Sequence, residues 1–191
     1  MEEKKPQVEP PRCIIPLHKP SLKELIFFLI SGIVISFPFA LFFEQLSSFV
    51  PAIISLVVMA PLIEEIAKVF PLFYRHGETE RSIVNIGVLL GLGFGITELI
   101  EYVFLLGVPF VVRIPGVIFH ASSAAIVAYG IAKKNPLPYY LLALALHFAN
   151  NFLAEFTIVG FGLLANLLVL IITYLLAWRF YHQSSKEKIV V

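Results

Sequence analysis

The chain has 191 residues, of which 59% are hydrophobic and 14% carry charge, with a net charge of +1. Soluble domains usually carry about 25% charged residues, so this composition excludes a water-soluble fold and predicts an all-α integral membrane protein in the lipid bilayer. The near-neutral charge gives no support to a nucleic-acid partner, and we expect none. The single cysteine excludes an intrachain disulfide and a multi-cysteine metal site.

The elements are predicted in chain order from the apolar stretches. Residues 1–24 are polar and proline-rich, and they predict a tail that leads into a helix capped by Ser21. Each later stretch is long enough to cross about 30 Å of hydrocarbon. The six predicted spans cover residues 25–43, 49–74, 83–108, 110–132, 138–156 and 158–180. Residues 25–181 therefore predict one bundle of about six transmembrane helices, and 182–191 a short C-terminal tail.

Basic residues mark one side of the predicted bundle. Lys4, Lys5, Arg12, Lys19 and Lys23 precede span one, and Arg75 and Arg81 lie between spans two and three. Lys133 and Lys134 lie between spans four and five, and Arg179, Lys186 and Lys188 lie at or after the end of span six. Positive charge favours the cytoplasmic side of a membrane. We therefore expect a multi-pass protein of the cell membrane with both termini in the cytoplasm.

Ionisable and amide side chains are concentrated in four of the six predicted spans. They are Glu64, Glu65 and Lys68 in span two, Glu98 and Glu101 in span three, His120 in span four, and His147, Asn150, Asn151 and Glu155 in span five. Such residues are costly inside a bilayer and are functional candidates by default. Glu64, Glu98, His120 and His147 fall near the midpoints of their spans, which predicts a polar cavity in the bundle centre. The alternative is that each group forms a structural pair or an interhelical hydrogen bond.

The spacing of these residues adds detail. Glu64 and Glu65 point about 100° apart on a helix, so one can face a cavity while the other contacts Lys68 or a neighbouring helix. His147 and Asn151 share a helical face and can together donate hydrogen bonds to a developing oxyanion.

Two kinds of hydrolytic chemistry are open to this set. A carboxylate and an imidazole can activate water as a general base. Histidines and glutamates can also hold a divalent metal such as Zn²⁺, and the candidate ligands are Glu65, Glu98, His120 and His147. Both readings predict attack of water on an amide bond near the membrane.

The same residues form four motifs in order over about residues 50–155. They are EExxK at 64–68, FxxxE at 94–98, a third motif at His120 and HxxxN at 147–151. This pattern resembles the PrsW-type intramembrane proteases, in the wider superfamily of CAAX-prenyl proteases and bacteriocin-processing enzymes (CPBP). Lys68 and Glu98 stand where the CAAX branch has arginine and histidine. Leu99 departs from the asparagine that follows the glutamate in many PrsW sequences.

The resemblance implies an intramembrane endopeptidase that cuts a membrane-anchored protein or peptide, in bacteria a single-span anti-sigma factor. It implies that Glu64, Glu65 and His147 are essential and that Glu98, His120 and Asn151 belong to the site, with Lys68 as a further candidate. In the predicted mechanism Glu64 or Glu65 is the general base and Glu98 positions water or a metal. His147 and Asn151 stabilise the oxyanion, and His120 is a ligand, an acid or an orienting group.

Two non-proteolytic functions are compatible with the same residues. A membrane scaffold or immunity protein would keep the fold without catalysis. A small proton-coupled transporter would use the glutamates and histidines as a proton relay.

Overall fold

The computed structural model of the protein describes residues 19–46, 49–74, 78–155 and 161–190. Over these ranges the chain forms six helices and one pair of short strands. Helix α1 is Leu22–Gln45 and contains a π-helical segment at Gly32–Ser36. Helix α2 begins with Ala52–Ile54, continues through a π-helical segment at Ser55–Met59 and the α-helical Ala60–Val69, and ends in a 3₁₀ turn at Phe70–Tyr74. The remaining helices are α3 at Glu80–Phe104, α4 at Phe110–Ala132, α5 at Pro136–Ala154 and α6 at Phe161–Gln183, and the strands are β1 at Glu78–Thr79 and β2 at Ile189–Val190.

The prediction of an all-α membrane protein is confirmed. Helices α1, α3, α4 and α6 contain segments long and apolar enough to cross a membrane. Helices α2 and α5 carry most of the polar candidate residues, and their role as spans stays a prediction. The outer faces of the bundle are apolar, with Val111 75% and Leu164 68% exposed. Apolar side chains of this size are stable on an outer surface when lipid, not water, surrounds them.

Local sequence signals fix the helix starts. Ser21 caps α1 in a capping box with Glu24, as predicted. Helix α3 begins earlier than predicted because the Thr79 side chain accepts a hydrogen bond from Ser82 N. Helix α5 begins at Pro136, since proline is favoured in the first helical turn. Residues 1–18, most of the predicted N-terminal tail, lie outside the described residues.

Helices α3 and α4 pack closely enough to place their backbones in contact. A Cβ atom at Gly91 would overlap the carbonyl oxygen of His120 and lie 2.7 Å from the Cβ of Ala124. Small residues allow helices in a membrane to approach in this way. The close approach brings Glu98 on α3 beside His120 on α4.

A second polar cluster joins the C-terminal segment to the start of α3. Strands β1 and β2 pair antiparallel, and the buried Glu80 carboxylate lies 2.6 Å from Lys133 Nζ and 3.1 Å from Lys188 Nζ. Ser185 N donates to the same carboxylate at 3.0 Å. The hydrogen bond to Glu80 raises the pKa of the Lys133 ammonium above its usual value. We call Glu80, Lys133, Ser185 and Lys188 the clasp.

Candidate active site

A pocket of about 350 Å³ lies between helices α1 to α5. Its lining is rich in ionisable and polar side chains, namely Glu44, Glu64, Glu98, Glu101, Tyr102, Arg113, His120, His147, Asn150, Asn151 and Glu155. Helices α2, α3, α4 and α5 therefore each contribute predicted site residues to the lining of this one pocket. Glu65 and Lys68, whose side chains are 0% exposed, are not part of this lining.

Glu64, His120 and His147 converge on one point of the pocket. Glu64 Oε2 lies 3.8 Å from His120 Nδ1 and 3.8 Å from His147 Nε2. Glu64 Oε2 and His120 Nδ1 are both buried without a hydrogen-bond partner among the described residues. Unsatisfied buried polar atoms are costly, so a group that binds all three atoms would stabilise this arrangement.

Glu65 lies behind His147, on the side away from Glu64. Its Oε1 accepts from Lys68 Nζ at 2.6 Å and lies 2.8 Å from His147 Nδ1. Lys68 Nζ also contacts Ser123 Oγ at 3.4 Å and lies 3.8 Å from Glu64 Oε2. This carboxylate is therefore placed to orient the His147 ring and has no access to the pocket.

Glu98 occupies the equivalent position at the other histidine. Its Oε2 lies 2.7 Å from His120 Nε2 and 2.8 Å from Arg113 Nη2. Each histidine of the site thus contacts a carboxylate through one ring nitrogen and faces Glu64 through the other.

Asn151 and Asn150 line the pocket one turn beyond His147. Asn150 Nδ2 donates to Asn151 Oδ1 at 3.2 Å, and Asn151 Nδ2 donates to the Leu56 carbonyl at 3.1 Å. Leu56 belongs to the π-helical segment of α2. The Asn151 amide nitrogen carries two hydrogens, and this bond uses only one of them.

The three converging atoms fit a divalent metal ion. One ligand atom each from Glu64, His120 and His147 lies within 4.8 Å of the others. Two imidazoles and one carboxylate form a common catalytic zinc set, and such histidines usually bind a carboxylate through their second nitrogen. This cluster differs from the predicted ligand set, because it contains Glu64 while Glu65 and Glu98 contact the outer nitrogens of the two rings.

Sequence reasoning did not include Arg113 among the candidate site residues, although it lines the pocket and contacts Glu98. The available signal was its position seven residues before His120, because residues two turns apart share a helical face. Glu44 was likewise not predicted as a pocket residue, although it lines the pocket from α1.

An all-helical membrane bundle in which a glutamate and two histidines converge in a pocket has the features of a membrane-embedded hydrolase. Residues 20–178 match the PrsW family of intramembrane metalloproteases, and the chain belongs to that family. Neither a curated protein nor a solved structure matches the chain significantly. Family membership supports membrane peptidase activity, whereas membership of the wider CPBP superfamily stays a prediction.

Proposed function

We propose that the protein is an intramembrane endopeptidase that hydrolyses a peptide bond of a membrane-anchored protein at the Glu64–His120–His147 centre. The observation that carries the proposal is the convergence of one carboxylate oxygen and two imidazole nitrogens, brought together from three helices. Family membership supplies the reaction class. The substrate is a membrane-anchored protein, anti-sigma-factor-like if the source is bacterial, and the enzyme is a cell-membrane protein with cytoplasmic termini.

Glu64, His120 and His147 would hold a divalent ion such as Zn²⁺. When bound, such an ion supplies Lewis-acid polarisation of water and of a carbonyl oxygen. Glu65 and Glu98 keep the two rings in the orientation that directs Nε2 of His147 and Nδ1 of His120 toward Glu64.

The protein's own residues perform the proton and charge steps. Water adds to the scissile carbonyl carbon as Glu64 accepts its proton, and the C–N bond breaks as Glu64 returns that proton to the leaving amine. Glu64 is the carboxylate that faces this water. With an ion bound, Glu64 would hold the ion through one carboxylate oxygen and accept and return the proton through the other. Asn151 would donate to the oxyanion through the amide hydrogen that the Leu56 carbonyl does not bind.

The test is cleavage of a single-span reporter by the purified protein in proteoliposomes. Glu64→Gln and His147→Ala should each lower the rate at least about 100-fold, because they remove groups at the reacting centre. Glu187→Gln, an exposed glutamate outside the pocket, is the matched control and should cleave at the wild-type rate. Unchanged cleavage in both site variants would disprove the proposed centre.

The same preparation separates the alternatives. Chelation should abolish cleavage and added Zn²⁺ should restore it if the reaction is metal-assisted, whereas activity that survives chelation supports the glutamate base. Proton-coupled flux without cleavage would indicate a transporter. A cellular phenotype that Glu64→Gln and His147→Ala leave intact would indicate a scaffold.

A further inference from the structure

Arg113 contacts the candidate centre without belonging to any of the four motifs. Its Nη2 lies 2.8 Å from Glu98 Oε2, the same oxygen that lies 2.7 Å from His120 Nε2. The arrangement repeats the one at His147, where Lys68 Nζ shares one buried carboxylate oxygen with the ring. At each histidine, a cation contacts a carboxylate and that carboxylate contacts the imidazole.

The surroundings hold the guanidinium in this place. Arg113 Cζ lies 3.7 Å from the centroid of the Tyr102 ring, in a cation–π contact. Tyr102 is one helical turn beyond Glu98, so the two side chains of α3 contact the guanidinium together. On α4, a Cβ atom at Gly116 would lie 3.7 Å from Arg113 Nη2 and 3.9 Å from Glu98 Oε2. Gly116 therefore lies directly beside the contact between Arg113 and Glu98.

We infer that Arg113 is a positioning residue that fixes the orientation and tautomer of His120 through Glu98. The inference rests on the proposed function for its catalytic consequence. A guanidinium has only donors, so Glu98 Oε2 can act only as an acceptor between two donors. His120 Nε2 must then carry the proton, and Nδ1 presents its lone pair toward Glu64 Oε2 at 3.8 Å.

A positioning role for Arg113 and a role in substrate binding predict different changes in the kinetic constants. Arg113 lines the pocket and is 24% exposed, so it could instead contact the substrate directly. A positioning residue lowers kcat and metal affinity with little change in KM, whereas a substrate-binding residue raises KM. The kcat and KM values of one variant therefore distinguish these two roles.

The first experiment titrates Zn²⁺ into metal-free protein against a chelator of known affinity. Arg113→Gln should weaken Zn²⁺ binding about tenfold to 100-fold and lower kcat similarly, as loss of outer-shell support does in other metal sites. Arg113→Lys keeps the charge but loses the planar fork, so its affinity should fall between those of Arg113→Gln and the wild type. Arg179→Gln removes an exposed arginine of α6 outside the pocket and is the matched control. Wild-type Zn²⁺ affinity in Arg113→Gln, or a change in KM alone, would overturn the inference.

The second experiment reads the tautomer without any cleavage. In protein with ¹⁵N-labelled histidines, the His120 signals are assigned by their loss in His120→Gln. Wild-type His120 should be protonated at Nε2, and Arg113→Gln should populate the Nδ1-protonated form. An unchanged tautomer in Arg113→Gln would overturn the inference. If wild-type protein neither cleaves nor binds Zn²⁺, the proposed function fails while the tautomer still decides the role of Arg113. A thermal unfolding curve of each variant shows that the protein is folded.

Discussion

Glu64 and Glu65 are neighbours in the chain, yet their carboxylates have different surroundings. Glu64 lines the pocket, whereas the side chain of Glu65 is completely buried and contacts Lys68 and His147. The rotation of about 100° between successive helical residues separates them. The pair therefore divides into one residue that can reach water and one that supports a histidine.

The first prediction concerns the buried ion pair behind the site. Glu65→Gln should destabilise the protein by about 3 kcal/mol, because it leaves the buried Lys68 ammonium without its nearest counter-charge. Adding Lys68→Met should recover most of this stability, since no charge is then left unpaired, but should not restore activity. Thermal unfolding in detergent and reporter cleavage measure the two effects.

Glu64→Gln is the control for this comparison. Its carboxylate lies 3.8 Å from Lys68 Nζ, against 2.6 Å for Glu65, so its neutralisation should cost less stability. If Glu65→Gln unfolded at the wild-type temperature, the pair would have no structural role.

At the scale of elements, the helix positions follow from the apolar runs and caps, but the contacts between elements do not. Helix α4 was predicted with the bounds it has, 110–132, because Pro109 precedes it and apolar residues continue to Ala132. The two π-helical segments and the clasp were not predicted. The clasp joins Glu80 to Ser185, 105 residues further along the chain, and local periodicity does not encode such a contact.

The second prediction concerns the clasp between the C-terminal segment and α3. Glu80→Gln should destabilise the protein by about 2 kcal/mol, because it replaces charge-assisted contacts to Lys133, Lys188 and Ser185 N with neutral ones. Limited proteolysis should then cut the C-terminal segment faster than in the wild type. Glu187→Gln, at an exposed position of the same segment, should change neither property.

The pH dependence of the clasp follows from Lys133. Because folding raises the pKa of Lys133, its stabilising contribution is complete below the ordinary lysine value of 10.5 and is lost as pH rises through the raised value. The stability contributed by Lys133, read as the difference between wild type and Lys133→Met, should therefore be constant from about pH 7 to about pH 9 and shrink above about pH 10.5. A difference that shrank already near pH 8 would contradict this account.

At the scale of the whole molecule, the third prediction concerns orientation in the membrane. With six spans and basic residues on one side, both termini should be cytoplasmic. A membrane-impermeant thiol reagent should then fail to label Cys13, the single cysteine, in intact cells. In a Cys13→Ser background, Leu105→Cys should be labelled, because Leu105 follows α3 and is 77% exposed. Lys186→Cys should be labelled only after the cells are opened.

Labelling of Lys186→Cys in intact cells would contradict the predicted orientation. If Cys13 stayed unlabelled in the same cells, the result would also show that α2 or α5 does not span the bilayer, since an odd number of spans puts the two termini on opposite sides.

The sequence by itself determined the class of protein, the approximate helix positions and most of the polar residues that line the pocket. Composition alone excludes a soluble fold, and four motifs in order are sufficient to name the family. These signals are local, because hydropathy, caps and short spacings depend on residues within a few turns of one another.

Only the tertiary structure decided which atoms meet. In the structure Glu64 lies with His120 and His147, whereas Glu65 and Glu98 contact the ring nitrogens that point away from Glu64. Arg113 contacts Glu98 beside this centre. The physical reason is that the rotation of each helix about its axis, and its close approach to its neighbours, decide which side chains meet. A helix turns about 100° per residue, so the packing of α2, α3, α4 and α5 selects which neighbour faces the pocket. Spacing within one helix does not specify how that helix is rotated against the next.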